Sequence, residues 1–276
     1  MIGKQLPFAG LMFILVVLAT ARQTEGKVVM RTIAYSDGEV QLEGYFAWDD
    51  TIAGKRPGVL IVHAWWGLGE DEKARARQLA ELGYAAFALD MYGAGKFTDD
   101  PAQAGQWAGA FYQDRQLGRT RAAAGLKVLA EQPEADAGRT AAIGYCFGGT
   151  IVLELAYSGA DLRGVVSFHG NPLPAMEGDA DRTRARLLVC HGAADTLVPA
   201  ETINAFTKSL EGSKVDWQLI TYSGAKHSFT TRSADRVAIP GVGYHTDADR
   251  RSWQHMRVFF EEIFRQAATE SGAPTR

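Results

Sequence analysis

A cysteine between glycines, an aspartate behind an apolar run and a histidine in a late loop have the makings of an ester-cleaving site. Cys146 stands in "GYCFGG" (144–149), Asp195 in "HGAADTLVP" (191–199) and His227 in "KHSF" (226–229). A thiol becomes a strong nucleophile when a base takes its proton, and a histidine serves as that base when a carboxylate orients it. Each residue also has an ordinary explanation. Cys146 could be a small packed hydrophobe, Asp195 the start of a turn and His227 a solvated loop residue. What raises them above that is order: nucleophile, acid and histidine occur at 146, 195 and 227, each following a different apolar run.

Such side chains need strands to carry them. "VVMRTIAYSDGEVQLEGYFAW" (28–48) predicts two strands around a turn at Ser36-Asp37-Gly38. "GVLIVHA" (58–64), "YAAFALD" (84–90), "TAAIGY" (140–145), "GVVSFHG" (164–170), "RLLVCHG" (186–192) and "VDWQLITYS" (215–223) predict further strands. Several of these are continuous apolar runs, as in strands buried on both faces. Helices are predicted over 70–83, where acidic residues suit the first turn, over 147–158, 200–212 and 247–266. Another helical region covers 101–131, with a break near Leu117-Gly118.

Alternating strands and helices after an antiparallel start predict one mostly parallel sheet with helices on both faces. Sites in such sheets lie beyond the carboxyl ends of the strands, which selects the loops after 63, 90, 145, 169, 191 and 223. Cys146 then falls between a strand and a helix. Its glycine neighbours let the two elements pass closely, and the free N–H groups of the helix favour a thiolate.

The chain has 276 residues, with 29 Lys and Arg against 32 Asp and Glu. That balance supplies no basic field for nucleic acid. Residues 1–21 carry Lys4, an apolar run from Leu6 to Leu18 and the small-x-small sequence Ala19-Thr20-Ala21. They read as a signal peptide, with a mature single α/β domain over 22–276 exported to a periplasmic or extracellular compartment. The apolar run falls short of the ~20 residues of a comfortable membrane span. The two cysteines, Cys146 and Cys190, are expected to be free, because the 164–170 strand is placed between their strand ends. His169, Cys190 and His191 lack metal-ligand spacing, so no metal site is expected.

"GYCFGG", "HGAADTLVP", "KHSF", "VHAWWGL" (62–68) and "IPGVGYHTDADRRSW" (239–253) together resemble the dienelactone hydrolase family. The resemblance covers roughly 28–266 and implies an α/β-hydrolase fold. It implies that Cys146 attacks an ester or lactone carbonyl, giving a thioester acyl-enzyme. His227 would exchange the proton and Asp195 would stabilise the imidazolium. The backbone N–H groups of Trp65 and Phe147 would form the oxyanion hole, and no metal or organic cofactor would be needed.

The family's founding members carry a glutamate where this chain has Ala64, and arginines at the positions of Ala94 and Thr231. Arg232 stands next to the second of these. Trp66, Tyr92 and His169, with Arg232, are the expected substrate contacts, and the substrate is expected to be less anionic than a dienelactone. Two other readings stay open: acyl transfer to a second nucleophile, and a non-catalytic binding protein of the same fold.

Overall fold

The computed structural model describes residues 27–265, which form one eight-stranded sheet. The proposed signal segment, 1–21, lies outside the described residues. Strands β1 (Val28–Asp37) and β2 (Val40–Asp49) make the expected hairpin and run antiparallel. Next come β3 (Arg56–Val62), β4 (Ala85–Leu89), β5 (Ala135–Tyr145), β6 (Gly164–Phe168), β7 (Arg186–Gly192) and β8 (Trp217–Tyr222). The order across the sheet is β1-β2-β4-β3-β5-β6-β7-β8, parallel from β4 onward.

Side chains alternate between two cores, one on each face. Leu60, Val62, Phe87, Leu89 and Val165 point to one, and Val59, Ile61, Ala86, Ile143 and Val166 to the other. Burying an aliphatic side chain of this kind contributes ~1.5–3 kcal/mol, so a strand buried on both faces gains on every residue. That explains why these strands read as unbroken apolar runs.

Helix α1 (Glu70–Glu81) and α7 (Thr246–Phe264) bury Leu79, Phe259 and Phe260 in one core. On the other face lie α2 (Pro101–Gln113), α3 (Arg115–Ala130), α4 (Phe147–Tyr157) and α6 (Ala200–Leu210). A short α5 (Asp179–Arg182) was not expected from the sequence. The break in the 101–131 region falls at Asp114 rather than at Leu117-Gly118. Asp114 ends α2 and caps α3, its carboxylate accepting from the Leu117 N–H at 3.1 Å. An aspartate holds an N-terminus better than glycine interrupts a packed helix.

Candidate active site

The turn from β5 into α4 places Cys146 at φ 54°, ψ −116°. A left-handed conformation at a non-glycine residue costs ~1–3 kcal/mol and survives only where surrounding contacts enforce it. Here they do. A Cβ on Gly144 would collide with the Gly148 carbonyl, and one on Gly148 with the carbonyl of Val62 at the end of β3. Strand and helix can cross this closely only without side chains. The Cys146 N–H donates to the Phe168 carbonyl at 3.0 Å and to His169 Nδ1 at 3.1 Å.

His227 follows β8 in a loop clipped on both sides. Its N–H donates to the Gly241 carbonyl at 2.9 Å, and its carbonyl accepts from the Gly243 N–H at 3.0 Å. The imidazole then lies 3.1 Å from Cys146 Sγ through Nε2 and 2.8 Å from Asp195 Oδ2 through Nδ1. Asp195, after β7, accepts from the Leu197 and Val198 N–H groups with its other oxygen. It therefore begins a turn as well as facing the histidine. Burial opposes a charge on His227, but the Cys146 sulfur and the Asp195 carboxylate outweigh it and raise the imidazole to about 10. This arrangement can hold a thiolate beside an imidazolium and pass the proton onward.

A cavity of about 920 Å³ opens over the sulfur, lined by Trp65, Trp66, Glu72, Cys146, His227 and Arg236 among others. The Trp65 N–H has no acceptor among the described residues, and Phe147 heads α4, where N–H groups precede the first helical bond. Both are free to receive an oxyanion.

Three of the four expected substrate contacts lie elsewhere. His169 is fully buried behind the nucleophile, between Cys146 and Thr230, whose hydroxyl is 2.7 Å from Nε2. Burial, with the neighbouring His227, holds its pKa well below the ordinary value. Because Nδ1 accepts from Cys146, the ring proton belongs on Nε2. Tyr92 is buried too, its hydroxyl donating to the Trp65 carbonyl at 3.1 Å and its ring packed on Phe147. Arg232 is exposed and does not line the cavity; a single 3₁₀ turn, Ala234–Arg236, brings Arg236 there instead. Trp66 does line it.

The Trp65 loop is held from behind by His63, whose place in "VHAWWGL" suits a structural hydrogen-bond donor, and by Glu72, which the sequence did not single out. His63 is fully buried, and burial pushes it down to about 4 against the Ala64 carbonyl. Its Nε2 accepts from the Met91 N–H at 3.1 Å, so Nδ1–H donates to the Ala64 carbonyl, 2.6 Å away. That carbonyl shares a peptide plane with the Trp65 N–H. Glu72, on the first turn of α1, faces the same loop.

Neither cysteine is bridged. Cys190 is buried in β7, with β6 between it and β5, and burial pushes its thiol up to about 12. Among the described residues no helix is long and apolar enough to cross a membrane.

The profile of the dienelactone hydrolase family matches residues 42–264. A dienelactone hydrolase-like promiscuous phosphotriesterase from metagenomic libraries superposes with a TM-score of 0.84 at 44% identity, over 86% of this chain and 99% of its own. Protein usf of Aquifex pyrophilus is 26% identical over 236 residues, 83% of this chain and 97% of that protein. The dienelactone hydrolase of Anabaena variabilis, at 19% identity, shares the fold with a TM-score of 0.58, over 83% of this chain and 98% of its own. With the family's pattern running from β2 to the end of α7, the chain belongs to the dienelactone hydrolase family, α/β-hydrolases acting on ester and lactone bonds.

Proposed function

We propose that this chain is an exported cysteine hydrolase that opens a neutral carboxylic ester or lactone through a thioester acyl-enzyme. The observation that carries the reading is the His227 ring, 3.1 Å from the Cys146 sulfur and 2.8 Å from Asp195. Cys146 attacks the carbonyl carbon, and the oxygen takes the negative charge against the Trp65 and Phe147 N–H groups. As the tetrahedral adduct collapses, His227 hands its proton to the departing alkoxide. Water, deprotonated by His227, then cleaves the thioester and releases the acid. Asp195 stabilises the imidazolium throughout.

Preference for a neutral substrate rests on the cavity's charges. Among the described residues Arg236 is its one Lys or Arg side chain, while Glu70, Asp71, Glu72 and Asp99 line it as well. Support for export comes from Lys4, the apolar run and Ala19-Thr20-Ala21.

The test is a series of p-nitrophenyl esters and lactones on the mature protein, with mass spectrometry of the quenched enzyme. An acyl adduct on Cys146 and an N-terminus near Arg22 are expected. Hydrolysis undiminished in Cys146→Ala would overturn the mechanism, and an intact Met1 on a cytoplasmic protein would overturn export.

A second reading follows from the 44% identical phosphotriesterase. In a neutral phosphotriester the phosphoryl oxygen takes the place of the ester carbonyl oxygen, and the thiolate displaces an aryloxide from phosphorus. Release of p-nitrophenol from a dialkyl p-nitrophenyl phosphate, abolished by Cys146→Ala, is the expected result.

A further inference from the structure

The cavity holds a buried carboxylate that the reaction above does not use. Glu72 is 5% exposed and stands at the third position of α1. One of its oxygens, Oε2, accepts from the Gly69 N–H at 3.1 Å, an ordinary way for a first-turn glutamate to cap its own helix. The other, Oε1, reaches the Ala64 N–H, also at 3.1 Å. The two bonds bracket the loop 64–69 at both ends, and Trp65 lies one peptide inside the bracket.

Three consecutive peptide units are thereby each held by one buried side chain. Glu72 takes the Ala64 N–H, His63 the Ala64 carbonyl and Tyr92 the Trp65 carbonyl. The Trp65 N–H, on the middle unit, has no acceptor among the described residues and is left for substrate. The side chain at 64 is a methyl group, and the carboxylate beside its N–H comes from α1. Burial pushes that carboxyl up to about 7, against the pull of both N–H groups.

We propose that Glu72 is a positioning residue that fixes the oxyanion loop by holding the Ala64 and Gly69 N–H groups at once. The role rests on the hydrolase reading given above. A glutamine offers one acceptor oxygen and turns its amide N–H toward the second N–H, so it can hold one end of the loop but not both. Alanine holds neither.

The experiment compares wild type, Glu72→Gln and Glu72→Ala by three measurements. Amide hydrogen exchange of residues 64–69 reports the bracket whether or not an ester is cleaved. Steady-state hydrolysis of p-nitrophenyl acetate reports the oxyanion donor. Alkylation of Cys146 by iodoacetamide reports the thiol, because that reaction makes no oxyanion. Exchange of 64–69 should quicken in both variants while residues 140–150 stay protected. A lost oxyanion donor costs ~10²–10³ in kcat, so kcat should fall ~10²-fold in Glu72→Ala and ~10-fold in Glu72→Gln. KM and alkylation should stay within about twofold of wild type. Unchanged exchange overturns the bracket. Faster exchange at wild-type kcat, or hydrolysis and alkylation falling together, overturns the positioning role. A wild type that cleaves no ester counts against the hydrolase reading, while exchange still decides the bracket.

Discussion

His169 Nδ1 accepts the backbone N–H of Cys146 at 3.1 Å, so a neutral ring supports the nucleophile's peptide from behind. The ring's other nitrogen is 2.7 Å from the Thr230 hydroxyl, and its edge meets the His227 ring with centroids 5.5 Å apart. Burial disfavours a charge on His169, whereas the Cys146 sulfur and the Asp195 carboxylate favour one on His227.

That division predicts distinct losses. Cys146→Ala and His227→Ala are each expected to abolish ester hydrolysis, and Asp195→Asn to reduce kcat ~10⁴-fold. Residues acting as one unit do not add, so the Cys146→Ala/His227→Ala double variant should be hardly slower than either single one. His169→Ala should instead lower thermal stability, by ~1–3 kcal/mol for the lost buried partner, with a smaller effect on kcat. Steady-state kinetics with a melting curve on each variant separates the two classes.

The ion pair itself is open to alkylation. The sulfur lies against a histidine raised to about 10, so iodoacetamide should label Cys146 readily at pH 6. In His227→Ala the rate at pH 6 should collapse and rise only toward the ordinary thiol range, ~8.5. Identical pH profiles in the two proteins would mean that the histidine does not charge the sulfur.

Cavity charge gives a specificity test. Arg236→Ala should raise KM for an ester bearing a carboxylate several-fold and leave a neutral ester within about twofold. Arg232→Ala, outside the cavity, should change neither. Equal effects at the two positions would show that net charge, rather than the lining, guides binding.

Away from the site, the buried Asp179 accepts from both terminal nitrogens of the Arg119 guanidinium, at 3.0 and 2.7 Å, while Glu154 accepts from Arg119 Nε at 2.9 Å. Burial works against a charge on Asp179, but the Arg119 bonds outweigh it and hold the carboxyl below its usual value. A depressed pKa lends stability above the unfolded value, ~3.9, and that stability is lost as pH falls through the folded value. Asp179→Asn should therefore cost about 3 kcal/mol at pH 7. The difference should shrink below about pH 4, as urea titrations at pH 7, 5 and 3 would reveal. A gap constant with pH would point to packing instead of charge.

Much of this molecule can be read from residue order alone. Apolar runs mark strands because burial on both faces leaves no polar position, and the glycines around Cys146 mark the crossing of β5 and α4. What cannot be read depends on where loops turn in space. His169 looked like a mouth residue because its strand ends at the mouth, yet φ 41° turns the ring inward beneath Cys146. Arg232 and Arg236 are indistinguishable until a 3₁₀ turn selects the second. Glu72 sits in an acidic first turn that suits any helix dipole. The contact that sets it apart, with Ala64, crosses a loop whose path no periodicity records.

One strand has a chemical consequence beyond the fold. β6 runs between the end of β5 and Cys190, so the two cysteines stand two strands apart, roughly 10 Å where a disulfide spans at most ~7 Å between Cα atoms. A Cys146 oxidised to the sulfenic acid has no internal thiol to capture it. Recovery must come from a small thiol in the surroundings, through a mixed disulfide that a second thiol then reduces; without one, oxidation proceeds to the irreversible sulfinic acid. Peroxide without added thiol should therefore inactivate the enzyme for good, and a small thiol added beforehand should preserve its activity.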